Sequence, residues 1–272
     1  MDRLQSIGIT IMTILSIDPT REHKGRGEPL VYTVIIFALV IIPLLLLIFY
    51  FGTTLVDAGK LMVYSGKTLG RMFIAYMIAL VWTLIVAIWI GRNRKLLKML
   101  MPIFDVGQSI PAVAIFPIIV VIVIEIFGDF GIEIASVVLL LTGMQWYLLF
   151  NLIRRMQTIP GEVFEISSML KLNELNRVRH VILPALLPAI AAGSIEAFGG
   201  GLNATIVSER IIYADKLYYT DGLGNLLQVA ASVNPPDMVA LFSCIFAMML
   251  IIITINKFVW RRILKMAERY KF

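Results

Sequence analysis

The sequence predicts an all-α, polytopic membrane protein with about six transmembrane helices, and three observations carry that expectation. Of 272 residues, 59% are hydrophobic and 15% charged, more apolar than an ordinary soluble chain. Runs of about twenty residues with few or no charges recur, each long enough to cross a hydrocarbon core of about 30 Å. The bases cluster in loops beside these runs, so membrane topology explains the net charge of +6 better than nucleic acid does. The single cysteine, Cys244, lies in an apolar run and excludes an intrachain disulfide.

Residues 1–30 are expected to form a cytoplasmic or interfacial segment, with a transmembrane domain over 31–272. The apolar stretch Ile7 to Ile17 is too short to span. Asp18-Pro19-Thr20-Arg21 lacks the small-residue site of a cleaved signal peptide, and Arg21, Lys24 and Arg26 form a basic collar. The first span covers about 31–52 and tolerates Pro43. A loop with Asp57, Lys60 and Lys67 leads to a second span at about 70–90, which has Arg71 near its start. Arg92, Arg94, Lys95 and Lys98 then form the densest basic loop between spans, placed in the cytoplasm.

A third span, about 109–127, opens at Gln108-Ser109-Ile110-Pro111 and ends at the base-free turn Gly128-Asp129-Phe130-Gly131, read as extracytoplasmic. The fourth, about 132–153, ends in Arg154-Arg155 and returns the chain to the cytoplasm. A fifth begins near Val181 and is rich in small residues that let helices approach closely or leave a path open. Residues 209–237 read as an extracytoplasmic excursion, with a turn at Asp221-Gly222-Leu223-Gly224 and a short helix over 225–232. The last span, about 238–260, runs into Arg261-Arg262, Lys265, Arg269 and Lys271, placing both termini inside.

Between the fourth and fifth spans lies a polar, mostly helical island, 158–188, far longer than a connection requires. Pro160-Gly161 starts it. Glu162 and Glu165 sit in an early helical turn, where carboxylates suit the helix dipole. Phe164, Met169 and Leu172 give it apolar character, and Arg177, Arg179 and His180 precede Leu183-Pro184. An amphipathic cytoplasmic segment with a bend suits docking to a soluble partner.

This segment resembles the signature of the inner-membrane permease subunits of binding-protein-dependent ABC importers: Glu-Ala-Ala, three residues, Gly, nine residues, Ile, one residue, Leu-Pro. Glu165 stands at the Glu; Ile166 and Ser167 stand at the Ala positions, Lys171 at the Gly and Val181 at the Ile; Leu183-Pro184 match. The resemblance implies a type I ABC importer permease fold and a coupling segment, 158–180, that docks an ATPase through Glu162, Glu165, Ser167, Lys171, Leu183 and Pro184. Lysine adopts positive φ less cheaply than glycine, so either the bend moves to Asn173 or the docking differs in detail.

Downstream, Gly199 to Glu209 (GGGLNATIVSE), followed by Gly222-Leu223-Gly224 and Asn256, is similar to the nitrate, sulfonate, taurine and bicarbonate branch of these importers. Asn203 and Thr205 offer donors to a polar solute; helix packing and interhelical hydrogen bonding are the alternative. Glu196, within an apolar run, is expected on the translocation path, whereas Glu125 reads as interfacial. Gln145 lies mid-span beside Trp146, on the path or packed inside with its amide satisfied.

The sequence carries no Gly-x4-Gly-Lys-Ser/Thr phosphate loop, no metal-ligand cluster and no serine-nucleophile elbow, so no catalytic residue, metal or cofactor is expected. His23 and His180 sit among cytoplasmic bases. The resemblance therefore implies a non-enzymatic permease subunit of the cell membrane. Its partners would be cytoplasmic ABC ATPase subunits, an extracytoplasmic solute-binding protein and a second permease copy or homologue. The competing expectation is an ion-coupled secondary transporter, or a membrane scaffold without an ATPase, using Glu196 or Glu125.

Overall fold

A computed structural model describes residues 58–213 and 215–267. The expectations for residues 1–57, including the first span, and for Arg269 and Lys271 lie outside them.

Helix α1 (Ala58–Gly91) is followed by α2 (Arg94–Ser109), α3 (Ala112–Phe127), a 3-10 turn at Gly128–Phe130, and α4 (Gly131–Thr158). Two short helices, α5 (Gly161–Met169) and α6 (Glu174–Arg177), lead through a π turn into α7 (Leu183–Ser208). An antiparallel hairpin follows, β1 (Arg210–Tyr213) with β2 (Lys216–Tyr219), pairing Arg210 with Tyr219 and Tyr213 with Lys216. Helix α8 (Leu223–Ser232), α9 (Met238–Ile255), a second π turn and α10 (Arg261–Ala267) complete the described chain. Four of its helical stretches are long and apolar enough to cross a membrane, and α2 with α3 forms a fifth candidate bent by 81°.

Several boundaries differ from the sequence-based expectations. Lys60 and Lys67 lie within α1, which spans about 50 Å at 1.5 Å per residue and so overreaches a bilayer core. Its buried positions Thr68, Met72, Tyr76, Ala79, Thr83, Ala87 and Ile90 recur at three or four residues and define a single packed stripe. Phe73, Ile74, Ile78, Val81 and Ile85 are exposed on the remaining surface, as a lipid-facing helix requires. The basic stretch expected as a loop is the start of α2. Asn93 caps that helix by accepting from the Lys95 and Leu96 amides at 3.0 and 3.2 Å. Pro111, which lacks an N–H, stands at the break before α3.

The two largest apolar clusters among the described residues lie along the bundle. Near the Gly91 end, Ile90, Leu97, Leu152, Ile153, Ile182 and Leu186 pack together. Around mid-length, Met72, Leu140, Met144 and Leu148 surround Tyr76, Phe198 and Trp260, whose ring centroids lie 5.2–5.7 Å apart. Small residues bring α7 against α4: a Cβ on Gly193 would stand 3.2 Å from Leu148 Cα, closer than most side chains tolerate.

Candidate functional site

The segment between α4 and α7 is built as two faces of α5. Val163 and Phe164 pack onto the bundle core, and Ser167 is buried with its hydroxyl donating to the Phe164 carbonyl at 2.7 Å. Glu162 and Glu165 are exposed and make no ion pair among the described residues. Ile166, Met169 and Leu170 are exposed beside them, Met169 by 80% and, on α6, Leu175 by 74%. An apolar patch rimmed by carboxylates on a short exposed helix suits a protein partner.

Helix α5 ends in a Schellman motif: the Lys171 amide donates to Ser168 O at 2.9 Å and the Leu172 amide to Ser167 O at 3.2 Å. This closure places its C′ residue in the left-handed region, and Lys171 has φ 51°. The bend thus remains at Lys171 and does not move to Asn173, because the two backbone hydrogen bonds require it at that residue. Asn173 instead caps α6, accepting from the Asn176 amide at 2.8 Å. Glu174 receives Arg92 at 2.8 Å and Arg177 at 2.6 Å, and the Arg92 hydrogen bond, reinforced by the charge of Arg177, holds its carboxyl below the usual range. Leu183 and Pro184 open α7 and are half-buried, Leu183 against the core near Gly91.

A cavity of about 750 Å3 lies among α2, α3, α4 and α7. Gln145 and Glu196 both line it, together with Asn151, Arg154, Gln157 and Gln108. Glu196 lies 13 residues into α7, about 20 Å along the helix and near the middle of its length. Its Oε2 accepts from Asn151 Nδ2 at 2.7 Å, and the same amide donates to the Tyr147 carbonyl at 2.8 Å. Asn203 and Thr205 do not reach this cavity: Asn203 is exposed, and buried Thr205 donates to Gly201 O at 2.9 Å. Glu125 is exposed near the far end of α3.

At the opposite end from α5, a buried polar cluster joins elements that lie far apart in sequence. Glu209 Oε1 accepts from Arg71 Nη2 at 2.6 Å and Thr68 Oγ1 at 2.7 Å. Its Oε2 accepts from the Gly224 and Asn225 amides at 2.7 and 3.3 Å, and the Leu223 amide donates to Thr68 Oγ1 at 2.9 Å. The otherwise orphaned donors at the start of α8 are thereby satisfied by a carboxylate and a hydroxyl. Arg71 Nη1 reaches Glu133 at 2.9 Å and Thr220 at 3.1 Å, and Thr220 donates to Glu133 in turn. Residue-by-residue reading passed over this cluster, although a base and an acid at span ends facing one side were a usable signal.

A largely apolar cavity carrying a few polar groups, inside a bundle with an apolar outer surface, fits a membrane-embedded transport component. The chain belongs to the family described as binding-protein-dependent transport system inner membrane component, which residues 79–265 match over well more than half its length. It is 28% identical over 146 residues to the nitrate import permease protein NrtB of Leptolyngbya laminosa, covering 54% of this chain and 50% of that protein. To the bicarbonate transport system permease protein CmpB of Synechococcus elongatus it is 28% identical over 145 residues, covering 53% and 50%. The chain spans about half the length of these curated relatives. In fold it is similar to a chain of the MetNI methionine ABC transporter in inward-facing conformations, with a TM-score of 0.62, 18% identity, and coverage of 76% and 95%.

Proposed function

We propose that this chain is the membrane-spanning subunit of an ATP-driven importer, with both termini in the cytoplasm. The solute passes the cavity of Gln145, Asn151 and Glu196, and an ATPase docks on the exposed face of α5 and α6. The single observation that carries this is α5 itself, whose apolar patch of Ile166, Met169 and Leu170 stands uncovered among the described residues beside Glu162 and Glu165. Lys171, at the signature's glycine position, keeps the left-handed bend, so the segment retains its two-helix form. ATP closes two ATPase subunits, and their motion is transmitted through the docked segment to expose the cavity alternately to each side. Differential affinity of ATP for the closed ATPase pair supplies the free energy.

The relatives named for nitrate and bicarbonate support a small polar anion as solute, delivered by an extracytoplasmic binding protein. Arg154 and the amides of Gln108, Gln145 and Gln157 supply donors along the cavity. A second copy or a homologue completes the pathway. Glu196, near the middle of α7, favours the competing ion-coupled mechanism, but Asn151 engages one of its oxygens. Uptake of radiolabelled nitrate and bicarbonate into proteoliposomes holding the chain, its ATPase and its binding protein separates the two. The importer requires internal or external ATP at the ATPase face and survives an ionophore; uptake driven by an ion gradient without ATP overturns it.

A further inference from the structure

A second cavity, of about 1000 Å3, lies at the Gly91 end among α2, the end of α4 and α5. Arg92, Arg94, Lys98 and Arg177 line it, against one lining carboxylate, Asp105. Glu174, outside the lining, engages both Arg92 and Arg177. Arg94 and Lys98 make no ion pair among the described residues, and Arg177 Nε is buried without a hydrogen-bond partner. Positive charge is therefore in surplus, and one donor of Arg177 is unanswered.

The surroundings fix the height of this cavity. Trp89, two residues before the lining residue Gly91, is 67% exposed, and exposed tryptophan favours the headgroup region. Helix α2 exposes Met99, Ile103 and Val106 on one arc, while Arg94, Lys98 and Asp105 share another at 100° per residue. That division sets an apolar arc, open to acyl chains, beside an arc whose bases at the Gly91 end can meet a lipid phosphate. The cavity is also separate from the docking face: Gly161, Phe164 and Ser168 line it, whereas Glu162, Glu165, Ile166 and Met169 occupy the adjoining arc of α5.

We propose that this cavity binds the phosphate of an anionic membrane lipid between Arg94 and Lys98 of α2 and Arg177 of the coupling segment. The acyl chains lie over Met99, Ile103 and Val106. The chemistry recognised is a phosphate oxyanion, which a free phosphate ion shares; the apolar arc beside the bases selects the lipid. A lipid in this position ties α2 to α6.

The test is native mass spectrometry of the full chain in mild detergent, titrated separately with phosphatidylglycerol, phosphatidylcholine and inorganic phosphate. One phosphatidylglycerol per chain is expected at concentrations where phosphatidylcholine does not bind, and an equal concentration of phosphate ion leaves it in place. The double variant Arg94→Gln, Lys98→Gln is expected to weaken binding about 25-fold, at roughly fivefold per base. Lys95→Gln, off the lining, is expected to change nothing, with melting temperature recorded for each variant. Equal binding of the two lipids, full retention by the double variant, displacement by phosphate ion, or displacement by an ATPase subunit would each overturn the proposal. The readout is lipid on the isolated chain, so it stands or falls independently of ATP-driven import.

Discussion

Arg71 Nη2 donates to Glu209 Oε1 at 2.6 Å, a buried ion pair between residues 138 positions apart, with side-chain exposures of 6% and 0%. Glu209 simultaneously holds the start of α8, so one carboxylate fastens α1, the end of α7 and α8 together. Removing one member of a buried pair leaves the other charge unanswered, at a cost of about 3–5 kcal/mol, against about 0–1 kcal/mol for an exposed pair. Arg71→Ala is expected to lower stability by the larger amount, read by denaturant unfolding in detergent. Arg71→Lys should recover part of it, since lysine restores charge without the forked geometry that serves Glu209 and Glu133 together.

Gly224→Ala tests the same junction without touching a charge. A Cβ at this position would fall against the Thr205 carbonyl, which belongs to the α7 backbone and has little room to yield. The expected outcome is a loss of about 1–3 kcal/mol, the range for overpacking. Hydrogen exchange should speed up at the Gly224 and Asn225 amides as α8 lifts from Glu209. A fully tolerated alanine would mean that α8 does not pack here as described.

Lys171→Gly is expected to stabilise the coupling segment. The left-handed conformation costs a residue bearing Cβ about 1–2 kcal/mol, more than the roughly 0.5–1 kcal/mol of chain entropy that glycine brings. Protection of the Leu172 amide, which bonds Ser167 O, should rise several-fold in hydrogen exchange. Lys171→Val should lower it, because β-branching makes positive φ costlier still.

The loop before α8 carries a pH signature. Lys67 Nζ bonds Asp221 Oδ2 at 2.5 Å, and this bond, with that from Tyr64, outweighs desolvation and holds the Asp221 carboxyl below its ordinary range. A depressed folded value means the stabilisation is complete above the unfolded value of about 3.9 and is lost as pH falls through the folded value. Both groups are partly exposed, so the effect is small. Melting temperature should therefore fall below about pH 4 slightly less steeply in Asp221→Asn than in the unsubstituted chain.

The described spans were legible because a bilayer demands long apolar runs, and the polar helical segment between α4 and α7 because its length far exceeds that of a simple connection. The hairpin was not: Arg210–Tyr213 and Lys216–Tyr219 are four residues each, too short for an alternating pattern to register. Helix α2 was hidden by its own bases, whose charge suggested a loop although Leu96, Leu97, Leu100 and Phe104 recur at helical spacing. The bond from Asn151 to Glu196 and the pair of Arg71 with Glu209 depend on helix register across the bundle, which no local pattern encodes. The left-handed bend at Lys171 was not legible because residue preference pointed as well to Asn173, while the two Schellman hydrogen bonds determine where the left-handed residue falls.

Docking of an ATPase on α5 is the central claim, and affinity purification of the tagged chain from membranes co-expressing its ATPase tests it most directly. The unsubstituted chain should retain the ATPase. Glu165→Arg, and separately Met169→Asp in the exposed apolar patch, should each lose it by about tenfold or more, as expected when a central interface residue is disrupted. Both side chains are exposed, so melting temperature should be unchanged. An ATPase that never copurifies, or one that both variants retain in full, would contradict the account.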